Sequence, residues 1–311
     1  MQPVNWVSDA RREWVDQPRC FVGEHLNGHW SARIEWRISR TFDLPSLPHR
    51  RRDQVWGVSM VRDEADIIGL CVDHLLDQGV DHLLIADNLS HDGTRQMLLD
   101  MARRDPRIHV ALDREPGYFQ KEKMSFLSRV AWRCGARWIV PFDADEFWFA
   151  SAGSLAAHLR RTDAAVFSAR MVNLLPQGEL GGRATEFMID RSDTGPRKVA
   201  FRAHPLALLA PGNHGVARVG VDEPGLIVAH VPYRSASQMR SKFTTGATAI
   251  KLAGPSWAGG WHWTAGERFS DDEIAHLWGS MQEGAGVEEI GWRGVDTSST
   301  ERVLQWASWP G

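Results

Sequence analysis

Two carboxylates separated by a single residue, Asp143 and Asp145, follow an apolar stretch of strand length at 138–142. Side chains two residues apart on an extended chain point to the same side, so this pair can offer oxygen ligands to one hard cation such as Mn²⁺ or Mg²⁺. Such a cation can bridge two phosphates and neutralise the charge that builds on a departing diphosphate. The alternative is a purely structural role, as a helix cap or in a solvated turn. The apolar residues on both sides of the pair favour the metal site.

Two further polar groups follow predicted strands. The predicted strand at 55–61 leads to Glu64, and the one at 82–86 leads to Asp87 and Asn88. In an open α/β sheet, ligands bind beyond the carboxyl ends of the strands. If these strands are parallel to the one that precedes Asp143, all three groups share one edge of the sheet.

The segment 87–94 invites comparison with a calcium-binding EF-hand loop. That loop needs glycine at its sixth position, whereas Gly93 is seventh, so calcium is disfavoured. A tight glycine turn that opens the next helix is the better interpretation. Asp92 or Thr94 would then cap that helix, and Asp87 would be free to bind a ligand.

Helical and strand periods alternate along the central part of the chain, which predicts a doubly wound, mostly parallel sheet flanked by helices. Beyond residue 150 the pattern loosens. The predicted strands are 55–61, 82–86, 108–112, 138–142, 166–172, 199–202 and 226–231. The predicted helices are 67–76, 94–104, 120–134, 154–161, 235–252 and 272–282.

Composition excludes several classes of protein. A net charge of −3 gives no large positive field, so nucleic acid is not an expected partner. Three widely spaced cysteines without a Cys-x-x-Cys pair indicate neither a disulfide framework nor a zinc site. Charged residues near the start interrupt any signal peptide, and no apolar run approaches the roughly 18 residues of a membrane span. We expect a cytoplasmic protein, with peripheral membrane contact left open.

The chain has 15 Trp but only 2 Tyr, and many of the Trp lie near its ends. Filling of irregular core is the preferred interpretation of Trp257, Trp261, Trp263 and Trp278, with a platform for sugar rings as the alternative. We expect a Trp-rich N-terminal extension or linker at 1–53, a central domain at 54–252, and a helical, Trp-rich C-terminal extension at 253–311.

Three motifs occur in one order and spacing. They are Val58-Ser59-Met60-Val61-Arg62-Asp63-Glu64, Asp87-Asn88-x-Ser90-x-Asp92-Gly93-Thr94 and Asp143-Ala144-Asp145-Glu146-Phe147. With them, the stretch from about 55 to 252 resembles family 2 glycosyltransferases and the related family 92 branch. The resemblance implies a GT-A fold and metal-dependent, inverting transfer of a sugar from a nucleotide diphosphate sugar, foremost a UDP-sugar. The acceptor, whether a glycan, a lipid-linked sugar or a small molecule, stays unidentified.

By this resemblance, Glu64 and Asp87, with Asn88 beside it, would hold the nucleoside. Gln120 and Lys123 would approach the nucleotide sugar. A solvated helix face is an equally good interpretation of Lys123, and Gln120 could simply begin the predicted helix.

The resemblance also assigns the metal and the diphosphate. Asp143 and Asp145 would bind the cation, and His230, after the last core strand, would complete the metal shell as a neutral imidazole. Arg234 and Lys242 would pair with the diphosphate. A structural histidine and surface ion pairs remain the alternatives for the last three residues.

The sequence departs from the commonest family 2 pattern at two points. It lacks a Gln-x-x-Arg-Trp motif, so a processive synthase is not expected, and it lacks a Glu-Asp dipeptide after residue 150 that would supply the usual acceptor base. Inverting transfer needs a carboxylate or an imidazole within hydrogen-bond reach of the acceptor hydroxyl. Four candidates stay open: Glu186, His214, Asp222 and Glu223. For His214, a role in the turn 212–215 is preferred.

Three rival functions are weaker. A sugar nucleotidyltransferase should have a glycine-rich phosphate loop after the first strand, whereas no glycine follows that strand until Gly69. A glycoside hydrolase or a non-catalytic carbohydrate-binding protein would not need a nucleoside-binding residue such as Asp87 after the second strand.

Overall fold

The computed structural model describes residues 10–27, 30–178, 180, 186–190, 196–254, 260–295 and 302–303. In this part of the chain a mixed sheet of eleven strands forms the centre, and a separate two-stranded sheet lies beside it. The strands are β1 (Phe42–Asp43), β2 (Gln54–Val61), β3 (His82–Asp87), β4 (Ile108–Asp113), β5 (Ala136–Pro141), β6 (Glu146–Ala150), β7 (Val166–Pro176), β8 (Glu186–Ile189), β9 (Lys198–Arg202), β10 (Leu208–Leu209), β11 (Val216–Ala217), β12 (Asp222–His230) and β13 (Arg302–Val303).

The helices flank the central sheet. They are α1 (Gln17–Leu26), α2 (Ala32–Ser39), α3 (Ile68–Asp77), α4 (Thr94–Arg104), α5 (Gln120–Arg133), α6 (Leu155–Arg160), α7 (Ala236–Ala253), α8 (Trp261–Gly266) and α9 (Asp271–Gln282). A π-helical turn, Arg12–Asp16, runs directly into α1. No described helix is long and apolar enough to span a bilayer.

The order of the strands is β1-β4-β3-β2-β5-β9-β7-β12-β6. The four strands β4, β3, β2 and β5 are parallel, as predicted. Strand β9 is antiparallel to both β5 and β7, β12 is parallel to β7, and β6 is antiparallel to β12. This is the mostly parallel, helix-flanked α/β architecture of the GT-A fold.

Both faces of the central sheet are buried, because consecutive side chains on a strand point to opposite faces. On β2, Val55 packs into the core beneath α3 and α4, whereas Trp56 packs into the core beneath α5. A third core joins α7 and α9 around Phe243 and Trp292. Four fully buried indoles, those of Trp56, Trp138, Trp148 and Trp292, agree with the core-filling interpretation of many Trp residues.

Two parts of the chain differ from the expectation. The apolar segment 147–149, for which no strand was predicted, lies in the buried strand β6, which pairs with β12. The N-terminal segment, expected to be an extension without regular structure, contains α1 and α2. These helices pack on the domain: the buried Gln17 amide donates to Leu206 O and Ala217 O at 3.1 and 2.9 Å. The predicted domain limits at 53 and 252 stay predictions.

Candidate active site

A cavity of about 370 Å³ opens beyond the carboxyl ends of β2, β3, β5 and β12. The three predicted groups meet there, because the register of β2, β3 and β4 places the ends of these strands level, with Val61 opposite Asp87. The polar residues in its wall are Arg62, Asp63, Glu64, Asn88, Tyr118, Gln120, Asp143, Asp145, Lys198, His214, His230, Tyr233, Gln238, Ser241, Lys242, Thr245 and His262.

The Asp143–Asp145 segment is a tight turn between β5 and β6 and not an extended chain. Glu146 N donates to Asp143 O at 3.1 Å and closes the turn. The expected geometry, with both carboxylates directed by strand alternation, was therefore wrong. Both residues still line the cavity, but each contacts its own set of polar groups.

Asp143 is held by groups from three separate elements. Lys198 Nζ on β9 lies 2.9 Å from Asp143 Oδ2, and Oδ1 accepts from Asn213 Nδ2 at 3.3 Å and from Gln120 Nε2 at 3.4 Å. The same lysine lies 2.6 Å from Glu146 Oε1. Lys198 thus joins two carboxylates on the turn and is 4% exposed, so its charge must be paired.

Asp145 is surrounded by cations and an imidazole. Its Oδ2 accepts from Lys242 Nζ at 2.6 Å and lies 3.6 Å from His230 Nε2 and 3.7 Å from Arg234 Nη1. Burial favours the neutral acid, but the Lys242 ammonium, with the Arg234 guanidinium beside it, outweighs this effect and holds the pKa of Asp145 well below its usual range. Asp145 is therefore ionised at neutral pH.

His230 owes its position to the sheet. On β12 it lies opposite Glu146 of β6 and beside Asn173 of β7, so the strand pairing alone brings it next to Asp145. Asn173 Nδ2 donates to Asp190 Oδ2 at 3.2 Å, which turns Oδ1 of Asn173 toward His230 Nδ1 at 2.8 Å. Nδ1 must carry the hydrogen, so the lone pair of Nε2 faces Asp145. Burial lowers the pKa of His230 and favours this neutral ring.

The Glu64 loop is fixed by the 87–94 loop. Ser90 Oγ accepts from Asp63 N at 3.0 Å, Thr94 Oγ1 from Glu64 N at 2.8 Å, and Asp92 Oδ2 from Ala65 N at 2.9 Å. The N-cap of α4 is Gly93, which makes no side-chain cap. Asp92, one residue earlier, does accept from Thr94 N at 2.9 Å through Oδ1, as the capping prediction expects. The polar residues of the second motif therefore bind the first motif as well as the start of α4.

Glu64 and Arg234 form one buried cluster with Asp66. Arg234 donates to Glu64 Oε2 at 2.5 Å and to Asp66 Oδ2 at 2.6 Å. Burial raises the pKa of Glu64 to about 7, although Arg234 opposes the shift. Arg234 is 2% exposed and does not line the cavity, so its predicted pairing with a diphosphate was wrong. Lys242, by contrast, lines the cavity as predicted.

Of the two polar residues after β3, only Asn88 reaches the cavity. Asp87 ends β3 and is fully buried, with Arg95 Nη1 at 3.9 Å from Oδ2. Neither carboxylate oxygen of Asp87 accepts a hydrogen bond from any described residue. Such a buried acceptor is costly unless a partner is supplied.

Lys123 lies beneath the cavity wall and is neither solvated nor exposed to a ligand. Its fully buried ammonium lies 2.6 Å from Asp113 Oδ2 and donates to Glu115 O at 2.6 Å. The same Asp113 oxygen accepts from Asn88 Nδ2 at 2.8 Å. Lys123 therefore supports Asn88, and its predicted direct approach to the nucleotide sugar was wrong.

Residues 58–210 match the family described as Glycosyl transferase family 2. The match covers all three motifs, and the geometry brings the residues at their ends to one cavity. The chain is a glycosyltransferase. No curated protein matches its sequence.

Two solved structures are similar to this enzyme at low identity. TarS from S. aureus, residues 1–349 in complex with UDP, has 12% identity and a TM-score of 0.38, and the match covers 64% of the enzyme and 69% of that chain. Mannosyltransferase PcManGT from Pyrobaculum calidifontis, in complex with GDP-Man and Mn²⁺, has 14% identity and a TM-score of 0.40, with 76% and 74% covered. The assignment as a glycosyltransferase rests on the family match and the site.

Of the four candidate bases, only His214 lines the cavity of the enzyme. Asp222 and Glu223 begin β12, whereas His230 ends it, so about 26 Å of strand separates Asp222 from the cavity edge. Their side chains accept from Ser168 and Thr162 instead. Glu186 is exposed on β8 and is not in the cavity wall. These three candidates were wrong.

His214 has one ring nitrogen, Nε2, that is available to accept a proton. Its Nδ1 lies 2.9 Å from Arg197 O and must donate to that carbonyl, which leaves the Nε2 lone pair free to accept a proton. The ring packs flat on Gly212, where a Cβ would lie 2.4 Å from it. Gly212 N in turn donates to Gln120 Oε1 at 2.7 Å. Burial is the main cause that lowers the pKa of His214.

In the cavity wall, Lys198 and His262 were not predicted, and Trp263 was named only as an indole for which core filling was preferred over a sugar platform. Lys198 begins β9 just before the predicted strand at 199–202. His262 and Trp263 come from α8, in the segment expected as the C-terminal extension. The Trp263 ring packs edge to face against Tyr118, with centroids 5.0 Å apart, and a Cβ on Gly246 would lie 2.5 Å from the indole. In the sequence, only the repeated Trp near 257–263 could have indicated that this segment contributes to the cavity. Trp257 and the side chain of Trp261 lie outside the described residues.

Proposed function

We propose that the enzyme transfers a sugar from a nucleotide diphosphate sugar, foremost a UDP-sugar, to a hydroxyl of its acceptor with a divalent cation bound. One observation carries the proposal: Asp143, Asp145 and His230 line the same cavity as Glu64 and Asn88. The family match supports glycosyl transfer, and the paired carboxylates beside a polar pocket favour a nucleotide diphosphate as the leaving group. The narrower likeness to family 92 and the cytoplasmic location stay predictions.

Asp145 and His230 fit a small divalent cation. Two ligand atoms that each lie about 2.1 Å from one ion are at most about 4.2 Å apart, and the 3.6 Å between Asp145 Oδ2 and His230 Nε2 meets this limit. No group of three His, Cys, Asp or Glu side chains in the described ranges is arranged to hold a metal alone. We propose that Asp143, the diphosphate and water supply the remaining ligands. When bound, Mn²⁺ or Mg²⁺ would neutralise charge on the departing diphosphate.

Lys242 and Lys198 are the cationic side chains that we assign to the diphosphate. Both ammonium groups lie in the cavity wall within 3 Å of a carboxylate of the turn. A cation bound by these carboxylates would replace the lysines as their counter-charge, and each lysine could then turn to a phosphate oxygen. Arg62 lines the same wall, and its Nε is buried without a hydrogen-bond partner in the described residues.

The nucleoside is assigned to the side of the cavity formed by Glu64 and Asn88. Asp87 stays a proposed contact, because its two unpaired oxygens are suitable acceptors for N–H groups of a base once the wall around Arg95 adjusts. Asn88 would be held in place from behind by Asp113 and Lys123.

We assign His214 as the acceptor base. In inverting transfer, the acceptor oxygen bonds to the anomeric carbon as the bond from that carbon to the diphosphate oxygen breaks. The acceptor proton moves to Nε2 of His214, and the nucleoside diphosphate leaves with the bonding electron pair. The apolar side of the cavity, with Tyr118 and Trp263, would bind the sugar rings.

A screen of nucleotide sugars tests this function. We expect release of nucleoside diphosphate from one donor only when Mn²⁺ or Mg²⁺ and an acceptor are present, with loss of turnover in Asp143→Asn and Asp145→Asn. Release of pyrophosphate from a nucleoside triphosphate and a sugar phosphate would instead identify a nucleotidyltransferase. Tight sugar binding that needs neither nucleotide nor metal, without turnover, would identify a carbohydrate-binding protein.

A further inference from the structure

The outer face of the N-terminal helices has an unusual composition. Every exposed position in 10–27 and 30–40 is an Arg, an apolar residue or Asn27, and none is acidic. We call this surface the N-terminal face and define it by Trp14, Arg19, Val22 and Leu26 on the first helical run and by Arg33 and Trp36 on α2. Trp14 is 82% exposed, Leu26 81% and Trp36 62%.

Two of the four carboxylates in the segment, Glu13 and Glu35, contact the rest of the domain. Glu13 pairs with the buried Arg218 and lies 3.4 Å from His204. Glu35 accepts from the indole nitrogen of Trp30 at 2.7 Å and pairs with Arg129. Asp16 lies 3.8 Å from the exposed Arg11 and offsets part of the outer charge. The exposed positions still carry five arginines and no carboxylate, so this surface is net positive.

The apolar side chains of the first helical run point to solvent, whereas a helix that only packs on a domain directs them inward. At about 100° per residue, Trp14, Val22 and Leu26 fall within one arc of about 120°. That arc is exposed, while the inward side docks through the polar Gln17. Six of the nine large apolar side chains that are exposed in the described residues lie between 14 and 44. Such a concentration indicates an interaction surface.

We propose that the N-terminal face docks on an anionic lipid bilayer. An interfacial helix combines an apolar stripe bearing Trp with flanking basic residues, which is the pattern found here. Indole rings prefer the boundary between water and lipid tails, and arginine side chains can bury their stems while the charge reaches lipid phosphates. Arg40 already stacks on Trp36, 4.3 Å from the ring centroid, so charge and aromatic surface are presented together.

The charges argue against other occupants. A symmetric dimer through this face would place the same arginines against each other, because a two-fold interface pairs a patch with itself. Nucleic acid offers phosphates but no apolar interior to bury Leu26 or Val22. An anionic bilayer satisfies both the arginines and the apolar stripe.

The N-terminal face is connected to the cavity through α2. Arg37 lies 3.6 Å from Glu115 and 5.0 Å from the ring centroid of Phe119. The loop that contains these two residues also carries Tyr118, which lines the cavity. Docking would therefore place the cavity wall beside the lipid surface. The proposal does not depend on the donor, the metal or the base assigned above.

Co-sedimentation of the full-length enzyme with vesicles tests the proposal. We expect it to pellet with phosphatidylcholine vesicles that contain phosphatidylglycerol, to stay in solution with pure phosphatidylcholine, and to lose binding at high salt. Trp14→Ser with Leu26→Ser should weaken binding roughly tenfold or more, because burial of two large apolar side chains is lost. Arg19→Glu with Arg33→Glu should weaken it by a similar factor.

The matched control is Met97→Ser with Val221→Ser, which removes two exposed apolar side chains elsewhere on the surface. We expect this variant to bind like the wild type, with all variants melting at similar temperatures. Three results would overturn the proposal: no binding of the wild type to anionic vesicles, equal loss in the control, or a wild-type dimer that the W14S/L26S variant converts to monomer. The last would mean that a second copy covers the face.

Discussion

Asn173 Oδ1 lies 2.8 Å from Nδ1 of His230 and holds the ring so that Nε2 faces Asp145. The arrangement depends on pairing between β7 and β12, since both residues sit at the same level of these parallel strands. A partner behind a metal-binding imidazole commonly sets its tautomer and orientation. The contact would therefore prepare His230 for its proposed role as a metal ligand.

Replacing Asn173 by Leu should release the imidazole and lower Mn²⁺ affinity by about 10- to 100-fold. Calorimetric titration of Mn²⁺ in the presence of UDP measures this directly. Asn173→Asp combined with Asp190→Asn keeps an acceptor for Nδ1 and should restore most of the affinity. Ser168→Ala, at the other end of β7, is the control and should change nothing. If Asn173→Leu keeps the wild-type affinity for Mn²⁺, either His230 does not bind the metal or Asn173 does not orient His230.

Breaking the buried pair of Lys123 and Asp113 should be costly, because it leaves one charge buried without its partner. Lys123→Met leaves the Asp113 carboxylate buried without its counter-charge, so we expect a loss of about 3–5 kcal/mol in the free energy of unfolding. Combining it with Asp113→Asn should recover at least half of that loss, measured by chemical denaturation.

The exposed pair of Arg114 and Asp43 is the control for this prediction. Arg114→Ala should cost less than about 1 kcal/mol, because exposed ion pairs contribute little. If Lys123→Met lowers the free energy of unfolding no more than Arg114→Ala does, then breaking the buried pair is not costly and the prediction is wrong.

Stability should fall in mild acid because of His109. Burial lowers the pKa of this residue from 6.5 to about 4. Between these two values the unfolded chain binds a proton that the folded chain does not, so stability is lost as the pH falls through this range. The free energy of unfolding should differ between about pH 7 and about pH 5, and His109→Gln should reduce this difference by roughly 1–2 kcal/mol. An unchanged pH dependence of unfolding in His109→Gln would contradict this origin.

The acceptor base is tested by His214→Ala. We expect kcat to fall by about 10²- to 10⁴-fold, with little change in the affinity for UDP. Asp222→Asn and Glu223→Gln, at the far end of β12, should keep full activity. A steady-state comparison of the three variants decides the assignment, and wild-type kcat in His214→Ala would rule it out.

Local patterns predicted the first part of the sheet well, because periodicity and strand ends lie within short stretches of sequence. The strand that precedes Glu64 and the helix at 94–104 needed only such patterns. Lys198, Asn173 and Asp190 could not be predicted in this way. Their roles arise where β9 runs antiparallel between β5 and β7, and where β12 joins β7 and β6. These pairings bring together residues about 30 to 85 positions apart.

Burial explains why the predicted ligand contacts of Lys123 and Arg234 were wrong. Lys123 and Arg234 have the charge expected of phosphate contacts, but each is enclosed with carboxylates that the linear sequence does not place nearby. Asp222 and Glu223 were candidate bases that precede the strand predicted at 226–231. The strand starts earlier, at Asp222, and carries both residues to the opposite edge of the sheet.

The central claim is that the carboxylates of the 143–145 turn and His230 hold a cation that binds the diphosphate. The most direct measurement is the rise in melting temperature caused by UDP, with Mn²⁺ or with a chelator, in the wild type and in the Asp143→Asn/Asp145→Asn double variant. We predict a rise in the wild type with Mn²⁺ only, and none in the variant. An equal rise with chelator would contradict the claim and would leave Lys198 and Lys242 as the groups that bind the diphosphate.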